Sequence, residues 1–333
     1  MAVLVARRCA ALLAVLVGLV FIVFLLETEV RADPARAMVG VSASKQAVEA
    51  KRKQLGLDKP LPVRFGDFLG RLVQGDLQSS LRTRNPVAKD LASFAPATLE
   101  LAGGAAVLAA LIGGGLGLLL AGGGRAARVV KVTLMGGASI PPFLTGLALI
   151  LLFYTSLHVL PASGWVSDQL AVPSGPTGMP VIDGLVHGNF AVFGSALAHL
   201  VLPALTLALL PALAIARTLG TSLGAVLGED YVRTARAKGL RERTVILRHG
   251  LRNAIGPTLT MAGLQLGLLL GGVVVVEQIF AWPGLGLYID QSIQYSDYPA
   301  IIGTTLALGT TYIVVNFLVD LAQAWADPRI RAV

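Results

Sequence analysis

The residues with most capacity for chemistry lie in one basic block between two long apolar runs. It reads Asp230-Tyr231-Val232-Arg233-Thr234-Ala235-Arg236-Ala237-Lys238-Gly239-Leu240. At helical spacing Tyr231, Ala235 and Lys238 share one side, while Val232, Ala235 and Gly239 form a narrow apolar strip. Gly239 stands where a helix C-terminal cap favours glycine. A second helical stretch is expected from about Glu242 to Asn253, with Gly256-Pro257 opening the next apolar run. The expected unit is a pair of short amphipathic helices joined by a glycine turn. Its chemistry is recognition. It either rests on anionic lipid headgroups or docks to a cytoplasmic partner.

Two further groups stand inside apolar runs. Gly263, Gly267 and Gly271 recur at i, i+4 and i+8, giving a smooth face that another helix can approach closely. Gln265 is the lone polar side chain deep in that run. Tyr312, Asn316 and Asp320 repeat the same spacing and make a polar stripe. Ionisable groups inside a membrane usually face a bundle interior or a wet cavity. Helix packing and lining of a path both stay open for these residues.

Catalytic signatures are missing. The sequence has no G-x-x-x-x-G-K-S/T phosphate loop and no H-E-x-x-H. No catalytic residue is assigned, and the chain is not expected to hydrolyse ATP. Cys9 is the one cysteine, and His158, His187, His199 and His249 show no metal-ligand spacing. That leaves no internal disulfide and no expected metal site.

The elements that must position these residues are membrane spans. The chain is 55% hydrophobic and 14% charged, too little charge for the surface of a soluble domain. No Lys or Arg lies between Lys131 and Arg217 or between Arg252 and Arg329. Six spans are expected: Cys9 to Leu26, Thr98 to Ala121, Val132 to Tyr154, Ala196 to Ala216, Pro257 to Val276 and Ala300 to Ala324. Pro141-Pro142 falls inside the third, and Pro203 and Pro211 inside the fourth. The first run exceeds a usual signal-peptide core and Val30-Arg31-Ala32 is a poor cleavage site, so it is read as an uncleaved span. The basic segments 122–131, 217–252 and 327–333 belong inside by the positive-inside rule. Segments 155–195 and 277–299 carry no base and belong outside, the former with room for a re-entrant piece. The net charge of +8 is accounted for by this basic rim, with no nucleic acid partner expected. The fold class is an all-α membrane protein of six transmembrane helices with both termini cytoplasmic. Its divisions are a first span (1–26), an extracytoplasmic insertion (27–95), a five-helix core (96–324) holding the loop 218–256, and a tail (325–333).

Several segments, in this order, together resemble a known family. They are Leu55-Gly56-Leu57-Asp58-Lys59-Pro60-Leu61, Gly75-Asp76-Leu77, Pro96-Ala97-Thr98-Leu99-Glu100-Leu101 and Ser139-Ile140-Pro141. Leu202-Pro203-Ala204-Leu205-Thr206-Leu207, Ala237-Lys238-Gly239-Leu240, Glu277-Gln278-Ile279-Phe280-Ala281-Trp282-Pro283-Gly284-Leu285-Gly286 and Asp327-Pro328-Arg329-Ile330-Arg331 complete the series. Over essentially the whole chain the sequence resembles the B-type permease subunit of bacterial ABC importers for dipeptides and oligopeptides, a group that includes nickel and glutathione importers. The wider class carries Glu-Ala-Ala six residues before the glycine, where this chain has Arg233, Thr234 and Ala235. The peptide subgroup commonly departs in this way.

The resemblance implies a type I ABC importer permease fold in the bacterial plasma membrane. It implies a second homologous permease subunit, two cytoplasmic ATPase subunits, an extracytoplasmic solute-binding protein and membrane lipid as partners. ATP and magnesium would be held by the ATPases, with no cofactor on this chain. Tyr231, Val232, Thr234, Ala235, Ala237, Lys238, Gly239 and Leu240 would couple to the ATPases. A rival reading, an ion-coupled secondary transporter, requires midplane carboxylates and internal repeats, which the sequence does not offer.

Overall fold

The computed structural model describes residues 2–29, 44–54, 58–125, 140–171 and 175–326, with isolated positions between them. Residues 132–135 and 137–139 of the expected third span, the Leu55-Gly56-Leu57 segment, the Val30-Arg31-Ala32 site and the tail from Asp327 lie outside the described residues. Eleven helices are numbered here: α1 (Ala2–Glu29), α2 (Lys45–Gln54), α3 (Leu61–Val73), α4 (Val87–Ala121), α5 (Pro142–Ser156), α6 (Pro180–Val186), α7 (Phe190–Leu227), α8 (Asp230–Ala237), α9 (Glu242–Ile279), α10 (Leu285–Gln294) and α11 (Tyr298–Ala326). Among the described residues β pairing is confined to one isolated bridge, between Ser79 and Pro86.

Helices α1, α4, α7, α9 and α11 are long and apolar enough to cross a membrane, and α5 is a shorter apolar helix at the third expected span. Helices are the natural solution here, because hydrocarbon offers the backbone no other hydrogen-bond partner. The sequence places their positions well but makes them too short. Helix α4 begins at Val87 rather than Thr98, and α7 covers 38 residues instead of the 21 from Ala196 to Ala216. At 1.5 Å per residue α7 is about 57 Å long, well beyond a hydrocarbon core of about 30 Å. The helical backbone runs on past the most apolar stretch at both ends, which hydropathy alone does not mark.

The prolines act differently from expectation. At Pro141-Pro142 a helix begins: Pro142 takes the first position of α5, where its missing N–H costs nothing. Pro203 and Pro211 do lie inside α7. The expected outer loop 277–299 also contains a helix of its own, α10.

The residues group into two compact units. The first comprises Ala95–Leu287 and Val314–Val333. Its core joins Leu101, Ala105 and Ala109 of α4 with Leu207, Ala208, Ala212 and Ile215 of α7 and with Leu269, Val273 and Val276 of α9. Small residues set the spacing. A Cβ on Gly117 would lie 2.7 Å from the Leu219 Cβ, and one on Gly113 would lie 2.8 Å from the Ala212 carbonyl oxygen. The second unit comprises Ala2–Phe94 and Tyr288–Ile313. Val20, Val23 and Phe24 of α1 pack there against Phe68 of α3 and Leu306 of α11. Within the segment 27–95, α3 thus shares a core with α1 and α11.

Two matched substitutions test the close approach of α4 to α7. Gly117→Ala forces Leu219 aside and is expected to cost about 1–3 kcal/mol by overpacking. Gly114→Ala meets nothing within 4 Å and is expected to leave stability unchanged or slightly raised. Thermal unfolding of the purified protein in detergent checks the difference in sign.

Candidate functional site

The basic block is mounted between two uninterrupted helices. Helix α7 runs through to Leu227, and Gly228 and Glu229 turn the chain into α8. Val232 and Ala235 point inward and pack with Val245 of α9 and Leu227 of α7. The apolar strip expected from the sequence thus exists, with one change. Gly239 is exposed and is no part of it. Gly239 takes φ +78°, the left-handed conformation that ends α8, and its N–H donates to the Arg236 carbonyl at 2.9 Å.

The second short helix expected from Glu242 to Asn253 is not separate. A π-helical turn, Val245–Gly250, runs directly into Leu251–Ile279, and Pro257 sits inside that continuous helix. Gly256-Pro257 therefore does not open a new helix. A Cβ on Gly250 would come within 2.8 Å of Leu223, so glycine is what allows α9 to lie against α7 at this point.

Polar contacts fix α8 in place. The Arg236 guanidinium donates to both carboxylate oxygens of Glu242, at 3.2 and 2.7 Å, and to the Leu227 carbonyl at 3.3 Å. The bond to Glu242 raises the pKa of Arg236 further. Asn253 Nδ2 donates to the Tyr231 hydroxyl at 3.0 Å and to the His249 carbonyl at 2.9 Å. Of the eight residues expected to couple, Val232 and Ala235 are buried as anchors. Tyr231, Thr234, Ala237, Lys238, Gly239 and Leu240 are exposed. Leu240 and Leu247 add exposed apolar surface beside Arg233, Lys238, Arg241 and Arg243. This mixed surface suits a protein groove at least as well as a headgroup layer.

The two stripes inside the spans come together at one place. A Cβ on Gly267 would lie 2.6 Å from Asn316 Oδ1, so Gly267 makes room for that side chain. Gly263 is buried, whereas Gly271 is exposed with nothing within 4 Å of its Cβ position. The three glycines thus do not form one packed face. Gln265 bonds within its own helix, to Met261 Sδ at 3.6 Å. Tyr312 and Asp320 are exposed in the single chain.

Sequence reasoning missed the buried acids at the other end of the first unit. Glu277 is fully buried and accepts from Thr98 Oγ1 at 2.7 Å, Gly286 N–H at 2.6 Å and Leu287 N–H at 3.1 Å. Thr98 Oγ1 accepts in turn from Leu285 N–H at 2.8 Å, and Trp282 Nε1 donates to the Ala97 carbonyl at 2.8 Å. Glu100 accepts from Trp165 Nε1 and from Val181 N–H. The available signal was the spacing of Glu277 to Gly284 and Gly286, since a Cβ at either glycine would run into the Glu277 side chain.

A second polar cluster belongs to the other unit. Asp90 accepts from Thr83, from Asn85 at 3.1 Å and from the Tyr288 hydroxyl at 2.9 Å, while Asp297 accepts from Ser80 and from Arg82 N–H at 3.1 Å. Burial, and then the bond to Asp90, raise the pKa of the Tyr288 hydroxyl, so it stays a donor.

Five helices long and apolar enough to span, with a basic loop mounted between two of them, are the features of a multi-pass membrane component. The chain belongs to the family described as binding-protein-dependent transport system inner membrane component, whose pattern matches residues 91–332. The pattern for the N-terminal part of such membrane components matches residues 1–102. The chain is 44% identical to the probable D,D-dipeptide transport system permease protein DdpB of Escherichia coli, over 97% of this chain and 96% of that protein. It is 40% identical to the di/tripeptide transport system permease protein DppB of Pseudomonas aeruginosa, over 98% of each chain. Identity to the glutathione transport system permease protein GsiC of Pectobacterium atrosepticum is 36%, over 98% of this chain and 97% of that one. This chain is accordingly a permease subunit of an ABC importer in the inner membrane, a transport component that works with a binding protein and an ATPase.

The Glu277 cluster yields a stability prediction. Glu277→Ala strands the buried Gly286 N–H, at about 1–3 kcal/mol, and removes the acceptor of the half-buried Leu287 N–H. It is expected to lower the unfolding midpoint in detergent clearly, while Asp168→Ala at an exposed loop position leaves it unchanged.

Proposed function

We propose that this permease carries short peptides inward, with dipeptides as its main substrate class. It does so beside a second, homologous permease subunit. Two ATPase subunits hold ATP and magnesium beneath the pair, and an extracytoplasmic binding protein delivers the peptide. Both termini and the α8 loop lie on the cytoplasmic side, in keeping with the basic residues of segments 122–131 and 217–252. Tyr231, Thr234, Ala237, Lys238, Gly239 and Leu240 meet the ATPase, and Val232 and Ala235 hold the helix that presents them.

The observation that carries this reading is the mounting of α8. Its exposed residues sit on a turn between two helices that continue without a break, and its buried residues bind it to both. A movement imposed on α8 therefore moves α7 and α9 instead of being absorbed by a hinge. ATP binding by the partners then favours one of two arrangements of the spans. The peptide assignment is supported by the relatives at 44% and 40% identity, whose names specify dipeptides and di/tripeptides. Glutathione, itself a tripeptide, is a second reading favoured by the relative at 36% identity.

Gly239→Val tests the coupling role. A β-branched residue at φ +78° is strained, so the turn that presents Leu240 must change. In proteoliposomes holding the full complex, ATP hydrolysis is expected to persist while most peptide uptake is lost, with insertion and assembly intact. Unchanged uptake would reject the docking assignment. Competition of labelled dipeptide uptake by D,D-dipeptide, L,L-dipeptide and glutathione ranks the substrates, and dipeptides are expected to compete best.

A further inference from the structure

Helix α6 is amphipathic with its burial inverted. Its one ionisable residue, Asp183, is 1% exposed and accepts from Thr177 N–H at 3.2 Å and from Thr177 Oγ1 at 2.8 Å. Pro180 and Gly184 are also buried. Gly184 lies so close to the start of α7 that a Cβ there would stand 2.9 Å from Phe193 N. The turn between the helices is tight, with Asn189 N–H donating to the Gly184 carbonyl at 2.8 Å and Asn189 Oδ1 accepting from Val192 N–H at 3.2 Å. The large apolar side chains point the other way. Ile182 is 42% exposed, Leu185 55% and Val186 65%, and the row continues onto α7 with Phe190 at 70% and Leu197 at 42%.

Three surroundings could meet such a face. Water is the worst, because each large aliphatic or aromatic side chain left wet forgoes about 1.5–3 kcal/mol. A second permease helix within the bilayer would call for small residues, which let backbones approach, and this row offers Ile, Leu, Val and Phe. A water-soluble binding protein would meet a polar, charged rim, yet no Lys or Arg occurs between Lys131 and Arg217. Lipid fits all three points. The row is also continuous with the outward face of α7, a helix long and apolar enough to span. It lies at the end of α7 remote from the basic block.

We propose that α6 is an interfacial membrane helix whose Ile182, Leu185 and Val186, together with Phe190 of α7, rest among lipid acyl chains. Asp183 turns inward to Thr177, away from that row. The segment before α7 is thereby anchored at the membrane surface.

The test uses the assembled importer in liposomes, with the second permease, the ATPases and a Cys9→Ala background. Nitroxide labels go at Ile182→Cys, Val186→Cys and Phe190→Cys, with Asp168→Cys as the exposed reference. Power saturation with molecular oxygen and with a water-soluble nickel chelate reads the surroundings. A ratio of oxygen to nickel accessibility higher at the three positions than at the reference supports lipid contact. Nickel accessibility equal to the reference overturns it in favour of an aqueous face. Loss of access to both reagents overturns it in favour of a covering subunit. Should a labelled variant fail to assemble, Phe190→Trp probed with brominated phospholipid decides the point, since quenching supports lipid contact and absence of quenching rejects it.

Discussion

Hydrocarbon cannot hydrogen-bond a peptide group, and that constraint organises everything else in this chain. Each span must satisfy its backbone internally, so the chain keeps its helices unbroken even where prolines fall. Pro203 and Pro211 lie inside α7 and Pro257 inside α9. Pro203 removes one helix donor, and three residues on, Thr206 Oγ1 donates to the Leu202 carbonyl at 2.8 Å, adding a bond from within the same helix. Unbroken helices are stiff. The loop between α7 and α9 therefore inherits a rigid base, which a docking element needs if it is to transmit displacement.

Glycine then brings the two stiff helices together. A Cβ on Gly250 would meet Leu223 at 2.8 Å, and one on Gly272 would meet Leu207 at 3.1 Å. These two glycines are about 33 Å apart along α9 at 1.5 Å per residue. That distance is about the thickness of the hydrocarbon core. The pair is thus matched at both depths, and small residues do what apolar driving force cannot do among lipid tails.

Much of this was legible in sequence, and what was not has a physical reason. Charge-free apolar runs marked where the spans lie, because lipid selects directly on side-chain hydropathy. The tyrosine-to-leucine block stood out because its basic residues interrupt those runs. The inward placement of Val232 and Ala235 followed from helical period alone. The continuity of α9 was hidden by Gly256-Pro257, which reads as a stop signal in water but is tolerated within this helix. Gly271 was grouped with Gly263 and Gly267 by spacing, yet it faces open space, since spacing does not tell which side of a helix has a neighbour. The buried acids were the largest omission. Glu277 closes an apolar run and looks like the edge of a loop, and only the fold brings Thr98 to it from 179 residues away.

Glu277 also completes the physical connection from one end of the first unit to the other. Helix α9 starts beside α8, through the Arg236–Glu242 pair, and ends on a carboxylate that grips Thr98 of α4. Two residues further along α4, Glu100 grips the N–H groups of Trp165 and Val181. Glu277 accepts from three donors, and no water competes at a fully buried side chain. An apolar contact can slide, whereas a carboxylate holding three donors must move with them or lose them. These hydrogen bonds, with defined directions, tie α9 to α4 and α4 to the segments that Glu100 holds.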